Sequence, residues 1–239
     1  MVHLSAGFAA LAGALVLGRR QVHRDQGQHV PANIPFVMLG TGMLWFGWFG
    51  FNAGSALAAN GQAAMAFATT NTASAAAAVA WMAFDVVRGR RPSAIGSCVG
   101  AVVGLVAITP AAGYVSIGSS VMIGTLASIV SNFVVHLKTQ STVDDTLDVF
   151  PCHGVGGIVG MIATGVFARE VGLTSGSTRL LLLQVLAMII AGTYTFVGMW
   201  VLYRVTDALI PLRVPADQER VGLDISQHGE SIIVSDTVR

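Results

Sequence analysis

A histidine in a stretch of chain without charges is the first residue to read for chemistry. His153 stands in Asp148-Val-Phe-Pro-Cys-His-Gly-Val-Gly-Gly-Ile-Val-Gly160, and from Val149 to Ala168 no residue is charged. About 20 helical residues span roughly 30 Å, the thickness of a bilayer's hydrocarbon core. An ionisable ring at that depth is costly and marks either a solute pathway or a hydrogen bond to a neighbouring helix. A second histidine weighs toward the pathway. His3 opens another apolar stretch, Val2 to Gly18, in the context His-Leu-Ser-Ala-Gly. Both histidines are followed four residues later by glycine, Gly7 and Gly157, on the same helical face. Matched histidines on two apolar helices point to a repeat-built transporter in which both rings meet at one site.

The elements that must hold those rings are read from composition. Charged residues make up 10% of the chain and hydrophobic ones 54%, with 28 glycines, which describes a membrane-spanning protein and not a soluble globule. Seven apolar segments are long enough to cross: Met1–Gly18, Ile34–Ala59, Gln62–Val87, Ser93–Ala112, Tyr114–Leu137, Val149–Ala168 and Leu180–Leu209. The basic residues between them alternate in sidedness. Arg19, Arg20, Arg24, Arg88, Arg90, Arg91, Lys138, Arg204, Arg213, Arg220 and Arg239 fall on one side, eleven of the thirteen Lys and Arg. Only Arg169 and Arg179 fall on the other. The positive-inside rule then puts the tail, 210–239, in the cytosol and Met1 in the outer half of a cell membrane.

Small residues predict how the helices pack. Ala63 to Ala80 is dense in Ala, Thr and Ser, and Gly96, Gly100 and Gly104 recur every four residues. In lipid such faces let backbones approach closely; a pore wall is the other use for them. Asn33-Ile-Pro35 predicts a helix start, and Thr109-Pro110 a helix end. By position alone Asp148 reads as a helix N-cap, with Pro151 in the first turn. The cysteines, Cys98 and Cys152, lie in different apolar segments and make neither a disulfide framework nor a metal-ligand spacing, so no metal or cofactor is predicted. No phosphate-cradling loop, nucleophile motif or basic nucleic-acid patch is present, which argues against an enzyme or a nucleic-acid binder.

The second segment carries Trp45-Phe-Gly-Trp-Phe-Gly-Phe-Asn-Ala-Gly-Ser55, with its aromatics deeper than an interfacial belt requires. Aromatic faces attract cations and a hydroxyl accepts their hydrogen bonds. This run, the Asp148–His153 block, Thr109-Pro-Ala-Ala-Gly-Tyr114 and the tail from Leu212 to Glu230 together resemble the ammonium transporter (Amt/Mep/Rh) family along essentially the whole chain.

The resemblance implies an all-α polytopic fold. Its seven transmembrane helices correspond to the last helix of a first inverted repeat, a second five-helix repeat and the final long helix of an eleven-helix family fold. Residues 1–209 would be the transmembrane domain, and 210–239 a cytosolic tail. The chain is then expected to be the C-terminal portion, lacking about the first four helices: a truncated frame, a mis-called start or half of a split protein. By motif, His3 and His153 match the family's twin pore histidines, Phe51 an outer-gate phenylalanine and Trp48 a pore-lining ring. Ser55 matches the hydroxyl of the outer recruitment site, and Asp148 an aspartate near the cytosolic end. Ammonium, or its analogue methylammonium, is the implied substrate, in a homotrimer. A trimeric nitrogen-regulatory signalling protein is the implied cytosolic partner. An ammonium sensor, or a non-conducting fragment, is the alternative.

Overall fold

A computed structural model describes residues 1–24, 31 and 33–230; Arg239 and the rest of 231–239, the end of the predicted tail, lie outside the described residues. Each predicted apolar segment carries a helix. In chain order they are α1 (Val2–Leu17), the short α2 (Gln21–Arg24), α3 (Ile34–Ala53), α4 (Gly61–Val87), α5 (Ala94–Ile108) and α6 (Ile117–Thr139). A π-helical turn, Phe150–Val155, leads into α7 (Gly156–Phe167), followed by α8 (Arg179–Leu209) and α9 (Ala216–Val221). No strand occurs among the described residues. The starts follow capping chemistry. Asn33 Oδ1 accepts from the Phe36 N–H, with Pro35 in the first turn. Asn60, Ser93 and Ser116 serve the same way for α4, α5 and α6.

Among the described residues, four helical stretches are long and apolar enough to cross a membrane: Ile34–Ala56, Ile117–Thr139, Phe150–Phe167 and Arg179–Leu209. The helices α1 and α5 are apolar but shorter. Large apolar side chains lie exposed along α3 (Phe36, Met43, Phe46) and α8 (Leu182, Ile189, Leu202), the pattern of helices solvated by hydrocarbon instead of water.

The small-residue runs do the packing. A Cβ on Gly104 would meet Ala73 O of α4 at 2.6 Å, and one on Gly100 would meet Ala77 O at 2.8 Å. Gly124 of α6 presses on the Ala73 main chain as well, so α4 is gripped from two sides at one residue. The glycine row of α5 is therefore a helix–helix seam and not a pore wall. Hydroxyls in these seams bond to main chain: Ser74 donates to Ala101 O (2.9 Å) and Ser128 to Ala77 O (2.7 Å). Unmade polar bonds are costly away from water, so these contacts satisfy what the polar run brings into the helix.

Most of the tethers gather at one end of the helices. Arg20 binds Asp144 through Nε (2.9 Å) and Nη2 (2.8 Å), and its main-chain N–H donates to the same carboxylate (2.8 Å). Arg213 of the tail donates to Leu17 O, at the end of α1, and pairs with Glu219 (both at 2.7–2.8 Å). Burial by itself pushes the Asp144 carboxyl up. The Arg20 side-chain and main-chain hydrogen bonds, with the charges of Arg20 and His23, outweigh it and hold the carboxyl down from 3.8 to about 2. A folded-state pKa below the unfolded one stabilises the fold fully above about 3.8 and loses that contribution as pH falls toward 2. Asp144→Asn is therefore expected to lower the melting temperature of detergent-solubilised protein at neutral pH. The gap from the parent should close between pH 4 and pH 2, roughly the interval between the two pKa values.

Candidate functional site

The two His–x3–Gly motifs cross each other. A Cβ on Gly7 would collide with the main chain of Gly154, and the carbonyl carbon of His153 lies 3.2 Å from it. Reciprocally, a Cβ on Gly157 would sit 3.0 Å from the Leu4 N and 3.5 Å from the carbonyl carbon of His3. Each glycine thus receives the backbone beside the other motif's histidine, and two backbones in such contact leave their side chains projecting to a common place. The ring centroids of His3 and His153 are 5.6 Å apart, with planes tilted by 43°.

Local chain chemistry sets the second ring. Pro151 has no N–H to give, and the turn from Phe150 to Val155 widens to π geometry, the form helices take at many functional sites. Its first free N–H, that of Phe150, is capped by Asp145 Oδ2 at 2.6 Å. Asp145, and not Asp148, supplies the carboxylate oxygen that accepts this N–H, while the Asp148 main-chain carbonyl accepts the Cys152 N–H at 2.9 Å. Asp148 stands at φ +55° with its carboxylate paired to Lys138. No described contact joins it to the histidine pair.

The aromatic run of α3 completes the cluster. Trp48 stacks on His3 with centroids 5.0 Å apart and planes at 23°. Phe51 lies 5.9 Å from His3 and 5.6 Å from Trp48, and is 46% exposed. One turn further along, Ser55 is exposed and donates to Phe51 O (2.7 Å), which leaves its oxygen lone pairs available. Phe51, Trp48, His3 and His153 are therefore brought into one aromatic row, with Ser55 beyond its exposed end. Asn52, in the same motif, faces the other way: it is 7% exposed and donates to Thr70 Oγ (2.9 Å).

Two nitrogens give the row its chemical interest. His3 Nε2 and His153 Nδ1 are buried and have no hydrogen-bond partner among the described residues. Buried polar atoms are nearly always paired, so two orphans on facing rings mark a place for a hydrogen-bonding ligand. Sequence reasoning missed Thr109, whose hydroxyl oxygen accepts the Trp48 indole N–H at 2.9 Å. Its sequence signals are the Thr-Pro helix end and its place at the head of the Thr109–Tyr114 run that shares in the family resemblance, and neither points to Trp48. Among the described residues no group of three or more His, Cys, Asp or Glu is placed to hold a metal.

The described residues form an apolar helical fold, with four stretches able to cross a membrane and two histidine rings facing each other in its packed interior, and this defines a membrane-embedded protein. The profile described as "Ammonium Transporter Family" matches residues 1–232, and the chain belongs to that family. It is 41% identical over 235 residues to the ammonium transporter Amt1 of Archaeoglobus fulgidus, covering 96% of this chain and 60% of that protein. It is 46% identical over 236 residues to an ammonium transporter of Aquifex aeolicus, covering 96% and 55%. Among solved structures, Saccharomyces cerevisiae Mep2 superposes with a TM-score of 0.84 at 36% identity, covering 90% of this chain and 52% of that one. A sensor Amt protein superposes with a TM-score of 0.87 at 30% identity, covering 95% and 58%. The chain thus spans between half and three-fifths of the length of these relatives.

Proposed function

We propose that this chain carries the conducting centre of an ammonium transporter, with ammonium passing along the row Ser55, Phe51, Trp48, His3, His153. The observation that carries the reading is the reciprocal glycine crossing, which leaves two histidine rings 5.6 Å apart with an orphan nitrogen on each. A bare ammonium ion in hydrocarbon costs many kcal/mol, so it must either be re-solvated or lose its proton. At the exposed end, aromatic faces and the Ser55 oxygen replace part of its water. Deeper in, the apolar walls offer no such replacement and the ion gives up a proton. Neutral imidazole has one donor and one acceptor nitrogen, so the facing pair can accept a hydrogen bond from ammonia and pass a proton along. Potassium has neither a proton to lose nor an N–H to offer, so the selection is chemical.

The same reading has α1, α3–α8 cross the membrane as seven spans, one from a first inverted repeat, five from a second and one final. Residues 1–209 form the transmembrane domain, and the tail 210–239 lies on the cytosolic side of the cell membrane. The protein works as a homotrimer, Asp148 lies toward the cytosolic exit, and a trimeric nitrogen-regulatory protein docks beneath. Methylammonium uptake into cells lacking their own ammonium transporters tests the function. Uptake above background that ammonium competes away and potassium does not is the expected result; no uptake from protein that reaches the membrane would refute it. A second reading, ammonium sensing, draws on the likeness to a sensor Amt protein. It predicts ammonium-dependent signalling in cells with no measurable flux.

The tail should matter to that flux. Arg213 holds the end of α1, the helix that carries His3, at Leu17 O, and beside it Glu219 Oε1 accepts the N–H of Gln21, the first residue of α2, at 2.6 Å. Ending the chain at Ile210 is expected to lower uptake several-fold, because those carbonyl and N–H groups lose their charged partners while every long helix is kept. Membrane levels should be unchanged, and undiminished uptake would sink the prediction.

A further inference from the structure

We propose that Thr109 is a positioning residue for the histidine pair, acting through Trp48; the inference rests on the transport reading above. The hydroxyl proton of Thr109 is committed to Leu105 O at 2.8 Å, one turn back along α5. With its proton spent there, the oxygen can only accept, and what it accepts is the Trp48 indole N–H at 2.9 Å. Pro110 follows and ends the helix, so the hydroxyl sits at a fixed terminus and not in the middle of a flexible turn. The indole it holds lies flat on His3, and His3 is the ring that faces His153. Three side chains from three helices, Thr109 of the α5 end, Trp48 of α3 and His3 of α1, therefore form one chain of fixed orientation.

The physical consequence concerns where the indole points. A buried N–H without an acceptor is costly, so removing the Thr109 oxygen releases the indole to seek another lone pair. The ring it stacks on has an unpartnered nitrogen, His3 Nε2, which offers a lone pair in the tautomer protonated at Nδ1. An indole that tilts toward that nitrogen either occupies the lone pair meant for the solute or drags the imidazole out of register with His153. Thr109 thereby keeps the His3 lone pair free.

Valine has the shape of threonine without the acceptor, and serine keeps the acceptor without the methyl. Thr109→Val is expected to lower methylammonium uptake per membrane-inserted molecule about tenfold, in line with the cost of one unpaired buried donor. Thr109→Ser should restore most of that loss. The decisive comparison is a double-mutant cycle with Trp48→Phe, which has no N–H to hold. In that background Thr109→Val should cause no further loss. Should the valine variant not insert, Thr109→Ala takes its place against Thr109→Ser. Uptake by the valine or alanine variant equal to the parent's would overturn the proposal, and so would an undiminished loss in the Trp48→Phe background. A parent that inserts but takes up no methylammonium defeats the transport reading itself, and this proposal with it.

Discussion

Replacing His153 with alanine is expected to cut methylammonium uptake about a hundredfold or more, since a placed proton-transfer group contributes about 10²–10⁴ in rate. The side chain lost is one of two rings whose centroids are 5.6 Å apart, and it carries one of the two orphan nitrogens of the row. Alanine leaves His3 stacked on Trp48 but facing an apolar methyl, so a proton arriving at one ring has nowhere to go. Discrimination should change with rate. A gap where an imidazole stood admits more water, and a hydrated potassium ion then meets less resistance. His3→Ala should weaken uptake comparably, since the pair acts as a unit and such effects do not add. Uptake and selectivity over potassium that both survive His153→Ala would show that the ring is structural.

The second large effect is steric. Gly7→Ala places a methyl against the Gly154 main chain at a contact no real Cβ tolerates. Carbon atoms pack at about 3.5–4.0 Å, so clearing the Gly154 Cα would require α1 and the π-helical turn to separate by about 1.2–1.7 Å. Overpacking of this kind costs about 1–3 kcal/mol, which an extensively packed membrane fold survives. Alignment is less forgiving: a displacement of about 1 Å at reacting groups can cost about a hundredfold in rate. Gly7→Ala is therefore expected to reach the membrane in near-normal amount and to transport about a hundredfold more slowly. Gly157→Ala, 3.0 Å from the Leu4 N, should be milder. Gly198→Ala on α8 has open space around its added methyl and should transport normally. Normal uptake by Gly7→Ala would mean that the crossing does not set the distance between the rings.

Much of this arrangement was readable from the chain. The matched His–x3–Gly contexts announced two rings meeting at one site; that their glycines let the two backbones touch there emerged only in the fold. The glycine row Gly96, Gly100, Gly104 announced the α4–α5 seam, since small residues let backbones approach closely in lipid, and Asn33 with Pro35 announced the start of α3. Other features carried no such signal. Asp144, Asp145 and Asp148 lie within five positions of one another, and nothing local says which one caps and which ones pair with Arg20 and Lys138. Thr109 meets Trp48 across 61 positions, a contact that only the folded arrangement of α3 and α5 creates. The polar content of α4 is similarly ambiguous until its hydroxyls are seen bonding main chain, as Thr69 does to Met65 O and Thr72 to Ala68 O.

The most direct measurement is an electron cryo-microscopy map of the protein in a lipid nanodisc with methylammonium present. His3 and His153 are expected to face each other in that map with centroids about as far apart as the 5.6 Å of this structure. Ligand density should lie along Phe51 and Trp48 and against His3 Nε2 or His153 Nδ1. A map with either ring turned into lipid, or with methylammonium bound away from that row, would contradict the proposed pathway.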